Sequence, residues 1–233
     1  MSRPETLAKA FADICSMDAP LNARLTAYAA KLRELNFPFA EAYDDLVARL
    51  VAGEIGHDAP SVGDRLPSFI LPSQTGALVS LDDLTALGPV VVSFNRGHWC
   101  PFCKIELRTI SSHHREIAEL GAHAVSIMPD RQEFTGDLRT STHGAIMILT
   151  DIDNGYALSL GLVLWVGEKL KALMKGRGFH LDTFHGSDGW ILPVPATFVV
   201  GPDSLIRARF VDPDFRKRME IEDILAALRL SVP

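Results

Sequence analysis

The sequence predicts an α/β protein: a mixed central sheet with helices on both faces, preceded by an all-helical arm. Three observations predict it. Apolar residues recur at three- and four-residue steps through residues 5–55, short strand-like runs alternate with helical stretches from Gly63 onward, and one run, Pro89-Val90-Val91-Val92-Ser93-Phe94, is apolar enough to be buried on both faces. At 233 residues and 47% hydrophobic content, the chain can bury one substantial core plus an appendage.

The arm, residues 1–58, reads as three helices. Their stripes are Leu7, Phe11 and Ile14, then Leu21, Leu25, Tyr28 and Leu32, then Tyr43, Leu46, Val47 and Leu50. Asn36-Phe37-Pro38 separates the second from the third, and Gly53 and Gly56 end the arm. The stripe is expected to cover the sheet or an interface with a second copy in a homodimer. Cys15 reads as a small buried hydrophobe of the arm.

The second part, residues 59–233, carries the sheet. Phe69–Leu71 and Leu78–Leu81 flank Gly76 as short extended pieces, and residues 89–95 form the buried strand. A helix is expected from Cys100 to about Leu120, a strand over Ala122–Met128, a helix over Asp130–Ser141 and a strand over Ala145–Leu149. Short helices at Tyr156–Leu160 and Glu168–Lys175 precede two strands, Ala196–Val200 and Leu205–Val211, joined by Gly201-Pro202-Asp203; an amphipathic helix over Glu220–Leu228 closes the chain. Strand–helix–strand units, a hairpin and a last helix follow the order of the thioredoxin fold.

Trp99-Cys100-Pro101-Phe102-Cys103-Lys104 sits where that strand turns into a helix. Unpaired backbone N–H groups and positive partial charge at a helix start favour a thiolate. Pro101 suits the first helical position, which places Cys100 at the N-cap as the more exposed and more acidic sulfur. Cys103, one turn deeper, is close enough to close a disulfide with it. Arg96 and His98, on the approach loop, add positive charge. A structural zinc site would need about four ligands; Cys15 is remote and alone, and His113 and His114 are adjacent, so no metal is expected.

The formal charge of -6 argues against a general nucleic-acid binder. Arg207, Arg209, Arg216, Lys217 and Arg218 cluster locally and read as a solvated surface. No run reaches membrane-spanning length, and the first residues lack an apolar signal core, which gives a cytoplasmic expectation. Gly176-Arg177-Gly178 follows a helix, not a strand, so no nucleotide or flavin cofactor is expected.

Gly63-Asp64-Arg65-Leu66-Pro67-Ser68-Phe69, Val79-Ser80-Leu81 and the segment Phe94 to Cys103 resemble the peroxiredoxin-like proteins of the alkyl hydroperoxide reductase/thiol-specific antioxidant (AhpC/TSA) family. The resemblance continues through Val194–Val200 and Phe210–Phe215 and covers residues 60–230, with the arm similar to the N-terminal extension of one branch. It implies a thioredoxin fold and an antioxidant oxidoreductase, with a hydroperoxide as substrate and a thioredoxin- or glutathione-type reductant. Counted from Phe94, the family's Pro, Thr and peroxidatic Cys fall on Arg96, Cys100 and Cys103, and its active-site Arg falls near Pro195. The local Trp-Cys-x-x-Cys-Lys is similar to thioredoxin instead. That similarity makes Val194-Pro195 a candidate cis peptide beside the dithiol and makes a disulfide the alternative substrate. A non-catalytic redox sensor or scaffold is the third reading. Which sulfur attacks stays open at this point.

Overall fold

The computed structural model describes residues 3–35 and 37–231, so Asn36 of the predicted helix break lies outside the described residues. The arm forms α1 (Arg3–Cys15), α2 (Leu21–Glu34) and α3 (Phe39–Ala52). Leu21, Leu25, Tyr28 and Leu32 of α2 are buried, as are Tyr43, Leu46 and Leu50 of α3. Their stripes share one apolar cluster with Phe94 and Phe198 of the sheet, so the arm covers the molecule's own core.

After the arm come the hairpin β1 (Ile70–Pro72) and β2 (Leu78–Ser80), then α4 (Leu81–Leu87), which the sequence reading missed. Ser80 caps α4 by accepting the Asp83 N–H at 3.0 Å. The main sheet consists of β3 (Val90–Phe94), β4 (His123–Met128), β5 (Met147–Thr150), β8 (Ala196–Val200) and β9 (Ile206–Val211), in the order β5-β4-β3-β8-β9. β3, β4 and β5 are parallel, β8 runs antiparallel to β3 and β9 antiparallel to β8, which gives the mixed sheet of the thioredoxin fold. Strand alternation sends Val90, Val92 and Phe94 toward the arm and Val91 toward the opposite cluster, which holds Leu107, Ile110 and the closing helix α11 (Ile221–Arg229).

Four expectations are corrected. The helix after the cysteines breaks at His113 into α5 (Pro101–Ser112) and α6 (His114–Glu119). The stretch expected as a helix from Asp130 begins with a 3₁₀ turn at Gln132–Phe134, and only α7 (Gly136–Ser141) is α-helical; Asp130 turns inward at the end of β4 and is fully buried. Between α8 (Gly155–Ser159) and β8, an unpredicted hairpin pairs β6 (Val163–Trp165) with β7 (Ile191–Pro193) around α9 (Glu168–Lys175) and α10 (Leu181–His185). Finally, the described chain holds no cis peptide, so Val194-Pro195 is trans. The chain passes from β7 into β8 with one residue pair between them, and Val194 donates its N–H to Leu162 O at 2.9 Å; that extended run needs no turn.

Candidate active site

The site is built where β3 ends. Phe94 lies in register with Ile127 of β4 and Ala196 of β8, so the next residues leave the sheet between two neighbouring strands. Asn95 holds the exit by donating to Ser93 Oγ at 2.8 Å and Ser126 Oγ at 3.2 Å. At Gly97 φ is +141°, and a Cβ there would lie 2.5 Å from Trp99 Nε1 and 2.9 Å from Asp130 Oδ1. The tight loop therefore requires glycine. His98 is held by Asp130, which accepts from its backbone N–H at 2.5 Å and pairs with Nδ1 at 3.0 Å; the ring rests between Phe134 and Phe184. His98 therefore serves as a loop anchor on Asp130.

Cys100 is the N-cap of α5 and Pro101 its first residue, as the motif predicted. Both sulfur-bearing residues are free thiols and fully buried, which corrects the expectation of an exposed Cys100. Tyr28 of α2 and Tyr43 of α3 lie edge-on to Phe102 at 5.3 and 6.2 Å, so the arm roofs the start of α5. Trp99 is 8% exposed and tilted against Phe179.

Arg96, buried to 1% exposure, directs Nη2 to Cys100 Sγ at 3.1 Å, and its backbone N–H donates to Cys103 Sγ at 3.4 Å. Its guanidinium lies 3.8 Å from the Phe215 ring centroid and over Tyr43 and Trp99. Among the described residues no carboxylate pairs with it. Burial pushes the Cys100 thiol up, but the hydrogen bond from Cys103 and the charges of Arg96 and Arg218 outweigh it and hold Cys100 well below its ordinary value of 9.0. Burial and the neighbouring Cys100 charge push Cys103 the other way, well above 9.0. Burial likewise pushes the Tyr43 phenol up to about 12.

Sequence reasoning missed two residues. Arg218, expected on a solvated surface, is 1% exposed and directs Nη2 to Cys103 Sγ at 3.6 Å. Its Nε donates to Glu106 Oε2 at 2.5 Å; Glu106, on the inner face of α5, also accepts from Ser93 at 3.0 Å and Thr197 at 3.4 Å. Burial holds the Glu106 carboxyl above its ordinary value, with Arg218, Ser93 and Thr197 offsetting only part of the rise. The other cluster members keep to the rim: Arg216 pairs with Asp214 and Asp44, Lys217 with Asp212 and Arg207 with Asp203, while Arg209 donates to Gly56 O. The available signal was a lone Glu106 between Ile105 and Leu107, which called for a buried cation. Pro195 is buried one residue before Ala196, the partner of Phe94, which puts it beside the loop exit.

A thiol pair flanked by buried cations at the C-terminal end of the central strand of such a sheet defines a thioredoxin-fold thiol oxidoreductase. Residues 62–209 match the family model described as the AhpC/TSA family. The chain belongs to the AhpC/TSA family, and its function is that of a thiol-based, peroxidase-like oxidoreductase. Comparison with curated proteins gives no match. Among solved structures it is similar to peroxidoxin BcpB from Mycobacterium tuberculosis (24% identity, 72% of this chain and 96% of that one, TM-score 0.56). It is also similar to a mutant of peroxiredoxin 6 of Arenicola marina (18% identity, 73% of this chain and 72% of that one, TM-score 0.57). A third similar structure is a yeast mitochondrial 1-Cys peroxiredoxin (17% identity, 73% and 77%, TM-score 0.56), whose thiol is resolved through glutathione/thioredoxin systems. These likenesses show the fold. Among the described residues, no helix is long and apolar enough to cross a membrane.

Proposed function

We propose that the protein reduces hydroperoxides through a Cys100/Cys103 dithiol–disulfide cycle in which Cys100 attacks and Cys103 resolves. One observation carries the assignment: the buried Arg96 guanidinium has the Cys100 sulfur as its anionic partner. Two buried guanidinium charges stand against one carboxylate, Glu106, and ionised Cys100 supplies the missing negative charge. Arg218 is already shared with Glu106, so Cys103 is the weaker candidate for ionisation.

In the cycle, the Cys100 thiolate attacks the distal peroxide oxygen, the O–O bond breaks, and the alkoxide leaves with a proton as an alcohol or water. The resulting Cys100 sulfenic acid condenses with the Cys103 thiol, releasing water and forming the disulfide. An external dithiol then returns two electrons. A thioredoxin- or glutathione-type reductant fits this step, as in the yeast 1-Cys peroxiredoxin whose thiol those systems resolve. Three free thiols suit a reducing cytoplasm. Pro195, beside the loop exit, and His98, anchored on Asp130, support the site by holding the loop. The count from Phe94 that puts the peroxidatic role on Cys103 conflicts with its raised thiol. A second reading, exchange with a disulfide substrate, is favoured by the placement of Cys100 at the helix N-cap.

Single serine variants test the assignment by intact mass. With hydrogen peroxide, Cys103→Ser should accumulate a sulfenic acid at Cys100 that dimedone labels, and Cys100→Ser should not. The reverse pattern would move the attack to Cys103. Trapping of a mixed disulfide in Cys103→Ser with no peroxide adduct would favour the exchange reading.

A further inference from the structure

Asp130 is fully buried just past β4, and among the described residues no lysine or arginine pairs with it. Arg131, next in the chain, turns to Glu133 at 2.9 Å. Two imidazoles face the carboxylate instead. His98 takes Oδ2, and on the other side His185 of α10, 7% exposed, holds its Nε2 3.4 Å from Oδ1. Neither of these last two atoms has a hydrogen-bond partner, so charge links them: a carboxylate stays ionised in the interior when an imidazole beside it carries a proton. Burial pushes the Asp130 carboxyl up, but His185 and His98 outweigh it and hold it below its ordinary value of 3.8.

The same carboxylate holds the loop that carries Arg96. The Asn95 N–H donates to Ile127 O at 2.8 Å and fixes where the loop leaves the sheet, while the Cys100 N–H donates to Gly97 O at 3.1 Å and ties it to α5. Between those points, side-chain hydrogen bonds from elsewhere to residues 97–99 come, among the described residues, from Asp130. Gly97 leaves no slack, since a Cβ there would lie 2.9 Å from Oδ1. Helix α10 grips the same point twice more: Phe184 O accepts the Arg131 N–H at 2.8 Å, and the Phe184 ring meets that of His98 at 4.7 Å. A displaced Asp130 therefore moves His98 and Gly97, and with them the Arg96 guanidinium that lies 3.1 Å from Cys100 Sγ.

We propose, resting on the peroxidase reading only for Cys100 as the attacking sulfur, that His185 and Asp130 are its positioning residues. The imidazole keeps the carboxylate ionised, the carboxylate sets the loop, and the loop places Arg96 on Cys100. This differs in sign from a direct field. Removing the Asp130 charge would by itself favour a nearby thiolate, whereas losing its hold on the loop disfavours that thiolate.

The test is the pH profile of alkylation by iodoacetamide in the full reduced chain, with the labelled sulfur located by peptide mass. Asp130→Asn and His185→Phe should each raise the midpoint of Cys100 alkylation by about one unit, a tenfold loss of rate below the midpoint. His185→Gln, whose amide nitrogen can stand in for Nε2, should recover most of that shift. Oxidation by hydrogen peroxide, followed by intact mass, should slow in the same order. Urea titration reads any loss of stability apart from the midpoint, and His185→Phe carries the test by itself if Asp130→Asn does not fold. A lowered midpoint in Asp130→Asn, or unchanged midpoints in both variants, would overturn the positioning role while leaving the peroxidase reading intact. Labelling of Cys103 before Cys100 in the wild type would overturn the choice of sulfur, and the positioning role with it. Raised midpoints in a protein that hydrogen peroxide does not oxidise would overturn the peroxidase reading and support the positioning role.

Discussion

Arg96 on the loop after β3 and Arg218 before α11 are equally buried, each 1% exposed, and each reaches one of the two sulfurs. They are neutralised in different ways. Arg218 has a carboxylate, Glu106, whereas Arg96 has a thiol that carries charge only when reduced and ionised. The ordinary carboxyl value here is 4.5, so protonating an orphaned Glu106 at pH 7 costs about 3 kcal/mol. A thiol with an ordinary value of 9.0 protonates at pH 7 at no cost. The Arg218 pair is thus fixed, while the Arg96 pair can be made and unmade by protonation, oxidation or alkylation. The same protein interior holds a structural cation and a chemically responsive one.

The contrast breaks most sharply on removal of each arginine. Arg218→Met strands Glu106 in the interior and should lower unfolding stability by about 3–5 kcal/mol in urea titrations of the reduced protein. Arg96→Met should cost less than about 2 kcal/mol, because Cys100 simply takes up a proton. Its effect should appear in reactivity: alkylation of Cys100 at pH 7 should slow at least tenfold, the consequence of losing a cation that lowers a pKa by one unit or more. Equal stability losses in the two variants would erase the distinction.

The pH dependence sharpens it further. Cys100 is depressed in the folded protein, so between its folded value and 9.0 the unfolded chain binds the extra proton, and reduced-state stability rises with pH. That stability is complete above 9.0 and is lost as pH falls through the folded value. Cys103 is raised, so its contribution runs the other way and stability declines above 9.0. Each unit of displacement is worth about 1.4 kcal/mol. Thermal melts of the reduced protein should therefore show a maximum near pH 9 that the Cys100–Cys103 disulfide form lacks. Because reduction restores the partner of Arg96, the reduced form should also be the more stable of the two at pH 8.

The smallest expected effect concerns Pro195. Pro195→Ala should change stability by about 0.5–1 kcal/mol, as for a proline in a conformation other residues adopt. Steady-state turnover with hydrogen peroxide should fall by a larger proportion, because Pro195 sits beside the exit of the loop that carries Arg96. Unchanged turnover would confine Pro195 to the framework.

Periodicity alone placed the arm's helices: Leu21, Leu25, Tyr28 and Leu32 are all buried, and of the stripe Tyr43, Leu46, Val47 and Leu50 all but the half-buried Val47 are. The apolar run over 89–95 marked the central strand for the same reason, and the Cys-Pro-x-Cys spacing by itself put Cys100 at the N-cap, because proline is tolerated at the first position of a helix and not in its interior. These are local properties of the chain. Arg218 and Glu106 are 112 residues apart, and each bears a charge that pattern reading assigns to the surface; their burial becomes favourable only when β3, α5 and the loop before α11 meet. The burial of Cys100 is decided in the same way, since the arm that roofs it is remote in sequence and its ring contacts exist only in the packed molecule. Local spacing along the chain marked the thiols proposed to carry the chemistry; packing chose the charges around them, because electrostatic partners are set by proximity in space and by the water that folding removes.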